Sequence, residues 1–144
     1  MKNNFLVIAT FFVMTACASK TAEVQSNVNK QNETQKTEVS IAKDVSIEEY
    51  KELISDETII LDVRTPEEFA QGHLEGAVNI NFFDENFIQK VSELDKSKSL
   101  LIHCAAGGRS AKAMNALKGK GFSKMYNMLG GYSSWLSANY PVVK

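Results

Sequence analysis

Cys104 stands where an apolar run ends and a run of nearly side-chain-free residues begins: Leu100-Leu101-Ile102-His103-Cys104-Ala105-Ala106-Gly107-Gly108-Arg109-Ser110. The apolar run reads as a buried strand, and functional groups in open parallel sheets gather beyond the carboxyl ends of strands. Ala105 to Gly108 let the backbone curl tightly and turn successive N–H groups inward. With the partial positive charge of the helix predicted to follow, those donors make an anion cradle. Arg109 adds a fixed fork of donors. Such surroundings stabilise a thiolate and lower a cysteine pKa from about 8.5 by one to several units. A thiolate in an anion-binding cup is a nucleophile or a sulfur carrier. A buried cysteine that merely ends a core strand would not need the arginine five positions on.

These groups need a frame, and the chain supplies alternating strand and helix signals. Ser46-Ile47-Glu48-Glu49 is a capping box, followed by an apolar helical face at Ile47, Tyr50, Leu53 and Ile54. Thr58 to Leu61 is a β-branched run suited to a buried strand, and Thr65-Pro66-Glu67-Glu68 is a second capping box with proline at the first helical position. The pattern predicts a short strand at Ala77–Ile80, a helix over 84–94, a strand at Ser99–Ile102 and a helix over Ser110–Lys118, ended by Gly119 or Gly121. A last strand at Lys124–Met128 and a last helix at Tyr132–Asn139 complete it. Repeated βα alternation implies an α/β fold, a mainly parallel sheet covered on both faces.

Residues 1–16 read as an address. Lys2 precedes a ten-residue apolar core, Phe5 to Met14, too short for a bilayer span of about 20 residues and suited to a secretory signal. Met14-Thr15-Ala16-Cys17 resembles a bacterial lipobox, with Met14 where leucine is usual. Lipidation of Cys17 would anchor the protein to a membrane in the cell envelope, on the periplasmic side. Residues 17–41 then form the lipidated cysteine and a polar tether that cannot bury enough surface to offset ordering entropy. Residues 42–144 form one domain.

The 144 residues carry 16 Lys+Arg against 17 Asp+Glu, 44% hydrophobic content, two cysteines and two histidines. That balance excludes a collagen, a coiled coil and a nucleic-acid binder. The few cysteines and histidines exclude a zinc ribbon or iron–sulfur cluster, so neither metal nor cofactor is expected. With Cys17 lipidated, Cys104 is the one remaining thiol. An unpaired exported thiol implies a function.

Four blocks of the chain resemble the rhodanese family, the single-domain sulfurtransferases. Leu61-Asp62-Val63-Arg64-Thr65-Pro66-Glu67-Glu68-Phe69 matches its first block, and Phe69 to Ala77 its second, with Glu75 where proline is frequent. Cys104 to Ser110 matches the active-site loop, and Asn127-Met128-Leu129-Gly130-Gly131 through Trp135 the closing block. The resemblance implies a central five-stranded sheet flanked by helices and a persulfide on Cys104. It further implies that the backbone of residues 105–109 (Ala105, Ala106, Gly107, Gly108, Arg109) holds the sulfur. A donor such as thiosulfate would supply the sulfur, and cyanide or a thiol would accept it. The family often has arginine directly after the cysteine, where this chain has Ala105. Asp62 and Arg64 would brace the architecture, paired with a carboxylate such as Glu68.

Cysteine phosphatases and arsenate reductases also place an arginine after a cysteine loop, but with five residues between them. Four intervene here, giving a smaller ring of donors suited to a sulfur atom. A third reading is a non-catalytic sulfur-carrying or docking module. Arg109 would hold the anionic end of a small donor or add positive potential. His103 should point away from Cys104, because neighbours on a strand face opposite sides. His73 reads as a turn or packing residue. Trp135, Tyr132, Met114, Met125 and Met128 read as core. The domain is expected to act as a monomer.

Overall fold

The computed structural model describes residues 40–144. Its elements run β1 (Ile41–Val45), α1 (Ile47–Glu52), β2 (Thr58–Asp62), α2 (Pro66–Ala70), β3 (Val78–Asn79), α3 (Phe87–Ser92), β4 (Ser99–His103), α4 (Gly108–Leu117), β5 (Lys124–Met128) and α5 (Gly131–Ser137). The sheet order is β1-β5-β4-β2-β3, and every pairing is parallel. The expected α/β architecture with a five-stranded sheet is therefore present. The signal, lipobox and most of the tether expected from the sequence lie outside the described residues.

The central strand β4 shows how the sheet is covered. Leu100 and Ile102 join Leu61, Val63, Val91, Ala113 and Leu117 in one core. Leu101, one residue out of phase, joins Val45, Tyr50, Ile60, Met128 and Trp135 in the other. Period-two alternation thus feeds two cores, one on each face, and the strand must be apolar throughout. Cys104 continues the first set and His103 the second. The two neighbours face opposite sides, as expected.

Local signals set the helix starts. Thr65 and Glu68 make both bonds of the capping box, with Pro66 at the first helical position. At α1 the Ser46 hydroxyl caps Glu49, whose carboxylate turns instead to Lys43. Helix α4 begins two residues before the expected Ser110, because Gly107 takes a left-handed φ of 93° and serves as its N-cap. The strand at Ala77–Ile80 shrinks to Val78–Asn79. One element was not expected: β1, pairing with β5, places Ile41 in the sheet although the sequence assigns it to the tether.

His103 is fully buried, with Nε2 3.8 Å from Asp62 Oδ2. Burial pushes its pKa down to about 4, against the opposing pull of Asp62, so the ring is neutral at pH 7. The unfolded chain binds a proton at this residue near pH 6.5, whereas the folded chain does not until about pH 4. The unfolded state therefore holds more protons between those values, and stability rises with pH across that window. Lowering the pH from 7 to 4.5 should cost about 2 kcal/mol through His103. Urea titrations of wild type and His103→Gln check this: the variant should lose less stability over the same pH range.

Candidate active site

Cys104 lies immediately beyond the carboxyl end of β4, the middle strand, and is 1% exposed. Its Sγ accepts a hydrogen bond from the Gly107 amide at 3.1 Å. The Ser110 hydroxyl lies 3.4 Å from Sγ and 3.0 Å from the Gly107 carbonyl. A hydroxyl has one proton, so it serves the nearer carbonyl beside a neutral thiol and is free to turn to an anionic sulfur, a stronger acceptor.

Burial of the thiol works to raise its pKa. The Ser110 hydroxyl and the amides of Ser110, Ala106 and Gly107 outweigh it and hold the pKa below the ordinary cysteine value. Within the loop, the Gly107 amide and the Ser110 hydroxyl approach the sulfur to 3.1 and 3.4 Å. Alkylation by iodoacetamide should reach half its maximal rate below the ordinary thiol pKa of about 8.5. Ser110→Ala should move that midpoint upward.

The loop is held from outside by the start of α5. The Tyr132 and Ser133 amides donate to the Cys104 and Ala105 carbonyls at 2.8 and 3.0 Å. Fixing those carbonyls outward leaves the loop amides turned toward the sulfur. This approach requires Gly131, whose φ is 56°; a Cβ there would sit 2.4 Å from the Cys104 carbonyl oxygen. The sequence reading missed this support, although the adjacent Gly130-Gly131 pair signalled it.

Two ion pairs flank the site, and their partners differ from the expected ones. Arg64 donates to both oxygens of Asp62 at 2.6–3.0 Å and to the Gly72 carbonyl at 2.8 Å. Its guanidinium lies 3.9 Å above the Tyr132 ring. The Asp62–Arg64 pair is 0% and 3% exposed and ties the end of β2 to the Gly72 carbonyl and to Tyr132 on α5. Glu68, expected beside Arg64, pairs instead with Arg109, its two oxygens each 2.7 Å from a terminal guanidinium nitrogen. Those bonds press the Glu68 pKa to about 2. Asp62, two residues away, already engages Nε and one terminal nitrogen of Arg64, and Glu68 takes both terminal nitrogens of Arg109. Glu68 is thus a site residue that the sequence reading placed on the wrong partner.

His73 accepts the packing role expected, stacked on Phe69 with ring centroids 3.7 Å apart. Among the described residues no cluster of three metal-ligating side chains occurs.

A profile for the Rhodanese-like domain matches residues 46–138. Thiosulfate sulfurtransferase 16, chloroplastic, of Arabidopsis thaliana is 38% identical over 91 residues, 56% of this chain and 76% of that protein. Protein HIGH ARSENIC CONTENT 1, mitochondrial, of the same plant is 36% identical over 118 residues, 75% of this chain and 70% of that protein. The crystal structure of a rhodanese-related protein from Thermoplasma volcanium superposes with TM-score 0.63 at 31% identity, covering 70% of this chain and 97% of the other. With the loop on β4 and the four sequence blocks in one fold, the chain belongs to the rhodanese-like family.

Proposed function

We propose that the protein is a sulfurtransferase that carries sulfane sulfur as a persulfide on Cys104. In the first half-reaction the Cys104 thiolate attacks the outer sulfur of a donor such as thiosulfate. A Cys–S bond forms, the donor S–S bond breaks, and sulfite leaves with the electron pair. In the second, cyanide or a thiol takes the outer sulfur and the thiolate returns.

The observation that carries this reading is the four-residue loop whose Gly107 amide donates to the Cys104 sulfur, with the Ser110 hydroxyl 3.4 Å away and able to turn to the same atom once it is ionised. Charge stays on sulfur through both halves, so fixed donors stabilise it without rearranging. Thiosulfate and cyanide should yield thiocyanate catalytically with the purified domain. A second reading, arsenate reduction at the same cysteine, is favoured by the likeness to a relative named for arsenic content. Arsenate with a thiol reductant, giving arsenite but no thiocyanate from the first mixture, would favour it.

The Met14-Thr15-Ala16-Cys17 segment supports export and lipid anchoring in the cell envelope. Fatty-acid labelling in cells should mark the wild-type chain and leave Cys17→Ser unlabelled.

A further inference from the structure

The near-zero net charge of the chain hides a segregation. All 17 acidic residues precede Lys96, and from Lys96 to Lys144 the chain carries eight basic residues and no Asp or Glu. Four of those eight gather at the end of the sheet opposite Cys104. Every strand is parallel, so the connections leading into the strands lie at that end. Lys118 and Lys120 are exposed on the connection from α4 into β5, Lys124 is exposed as the first residue of β5, and Lys96 is exposed on the connection into β4. The Lys96 side chain reaches across to the same turn, its Cδ 2.9 Å from where a Gly121 Cβ would stand. None of the four pairs with a carboxylate among the described residues. Asp95, the last acidic residue, accepts from Ser97, and Asp56 and Glu57 lead into β2, two strands away from β5. The chain enters the domain through this patch. Ile41 pairs with Lys124 and donates to the Ser123 carbonyl at 2.7 Å, and Ser40 shares a cleft with Gly119, Gly121, Phe122 and Ser123. Twenty-two residues separate Cys17 from Ser40, at most about 80 Å of chain.

We propose that the face formed by Lys96, Lys118, Lys120 and Lys124 docks the domain on an anionic phospholipid bilayer, with Cys104 turned away toward the aqueous side. The inference rests on the lipid-anchoring reading. A lipid on Cys17 supplies nearness, and the lysines supply orientation. Each lysine held against an anionic bilayer strengthens binding about fivefold, and the gain fades as salt screens it. A neutral bilayer offers the lysines nothing, so on it the anchored domain has no preferred face.

The test uses wild-type protein purified from cells that express the full chain. It is reconstituted on vesicles of phosphatidylcholine alone, or of phosphatidylcholine and phosphatidylglycerol in equal parts. Exposed lysines are acetylated with an amine-reactive reagent and read by peptide mass spectrometry. On the mixed vesicles Lys96, Lys118, Lys120 and Lys124 should label about fivefold more slowly than on phosphatidylcholine, and high salt should abolish the difference. Lys112, in α4 near the cysteine loop, and Lys90 on α3 should label equally on both. In the triple variant Lys118→Gln, Lys120→Gln, Lys124→Gln, protection of Lys96 should disappear while thiocyanate formation is unchanged. Equal labelling of the four lysines on the two vesicles would overturn the docking while the anchoring stands, as would protection spread evenly to Lys90 and Lys112. A chain retained only by the mixed vesicles, with the lysine pattern intact, would overturn the anchoring and uphold the docking. A chain retained by neither would overturn both.

Discussion

Cys104→Ser should reduce thiocyanate formation to the uncatalysed rate, a loss of at least about a thousandfold, while the domain stays folded. Serine nearly preserves the shape of a side chain that is 1% exposed. Its hydroxyl can still meet the Gly107 amide and Ser110, so the loop keeps its hydrogen bonds. What disappears is an atom that ionises near neutral pH and forms a stable bond to a second sulfur. Rates measured with thiosulfate and cyanide, beside melting curves, separate lost chemistry from lost structure. A variant that retained a tenth of wild-type turnover would remove Cys104 from the mechanism.

The second large effect is expected from a residue that never touches the sulfur. Gly131→Ala places a Cβ 2.4 Å from the Cys104 carbonyl oxygen and 2.8 Å from the Ala105 carbonyl carbon and the Ala106 nitrogen. All three are backbone atoms of the loop, so the loop must move. Alanine at a φ of 56° adds about 1 kcal/mol or more of strain. A displacement of about 1 Å in a reacting group can cost about a hundredfold in rate, and a loss of that order in kcat/KM is expected. Gly119→Ala is the control. It has a φ of 74° but open space around the new Cβ, so it carries the backbone strain without moving the loop. Gly119→Ala should therefore lose stability and keep kcat/KM. Equal kinetic losses in the two variants would show that α5 does not hold the loop.

The parts of this molecule that follow from local rules were legible in the sequence. Buried strands β2 and β4 announced themselves by continuous apolar runs, and the Thr65 capping box by four adjacent residues. The cysteine loop was legible for the same reason, since its glycines, strand and helix are contiguous. Strand β1 was not. Its burial pattern leaves only Val45 buried, and Lys43 and Asp44 resemble the polar segment before it. It is a strand because its backbone pairs with β5, more than 80 residues along the chain, a cause no local window contains. The Glu68–Arg109 pair spans 41 residues and was hidden similarly. Arg64 offered a nearer partner for Glu68, but Asp62, two residues away, had already engaged it. The role of Gly131 also depends on long-range approach, from α5 back to the end of β4.

These placements share one consequence: the amides around Cys104 are fixed before any substrate arrives. The direct measurement is the intact mass of the purified domain after incubation with thiosulfate and removal of excess donor. The account predicts a gain of one sulfur atom on wild type, absent in Cys104→Ser and discharged by cyanide as thiocyanate. An unchanged mass, with Cys104 still open to alkylation, would contradict it.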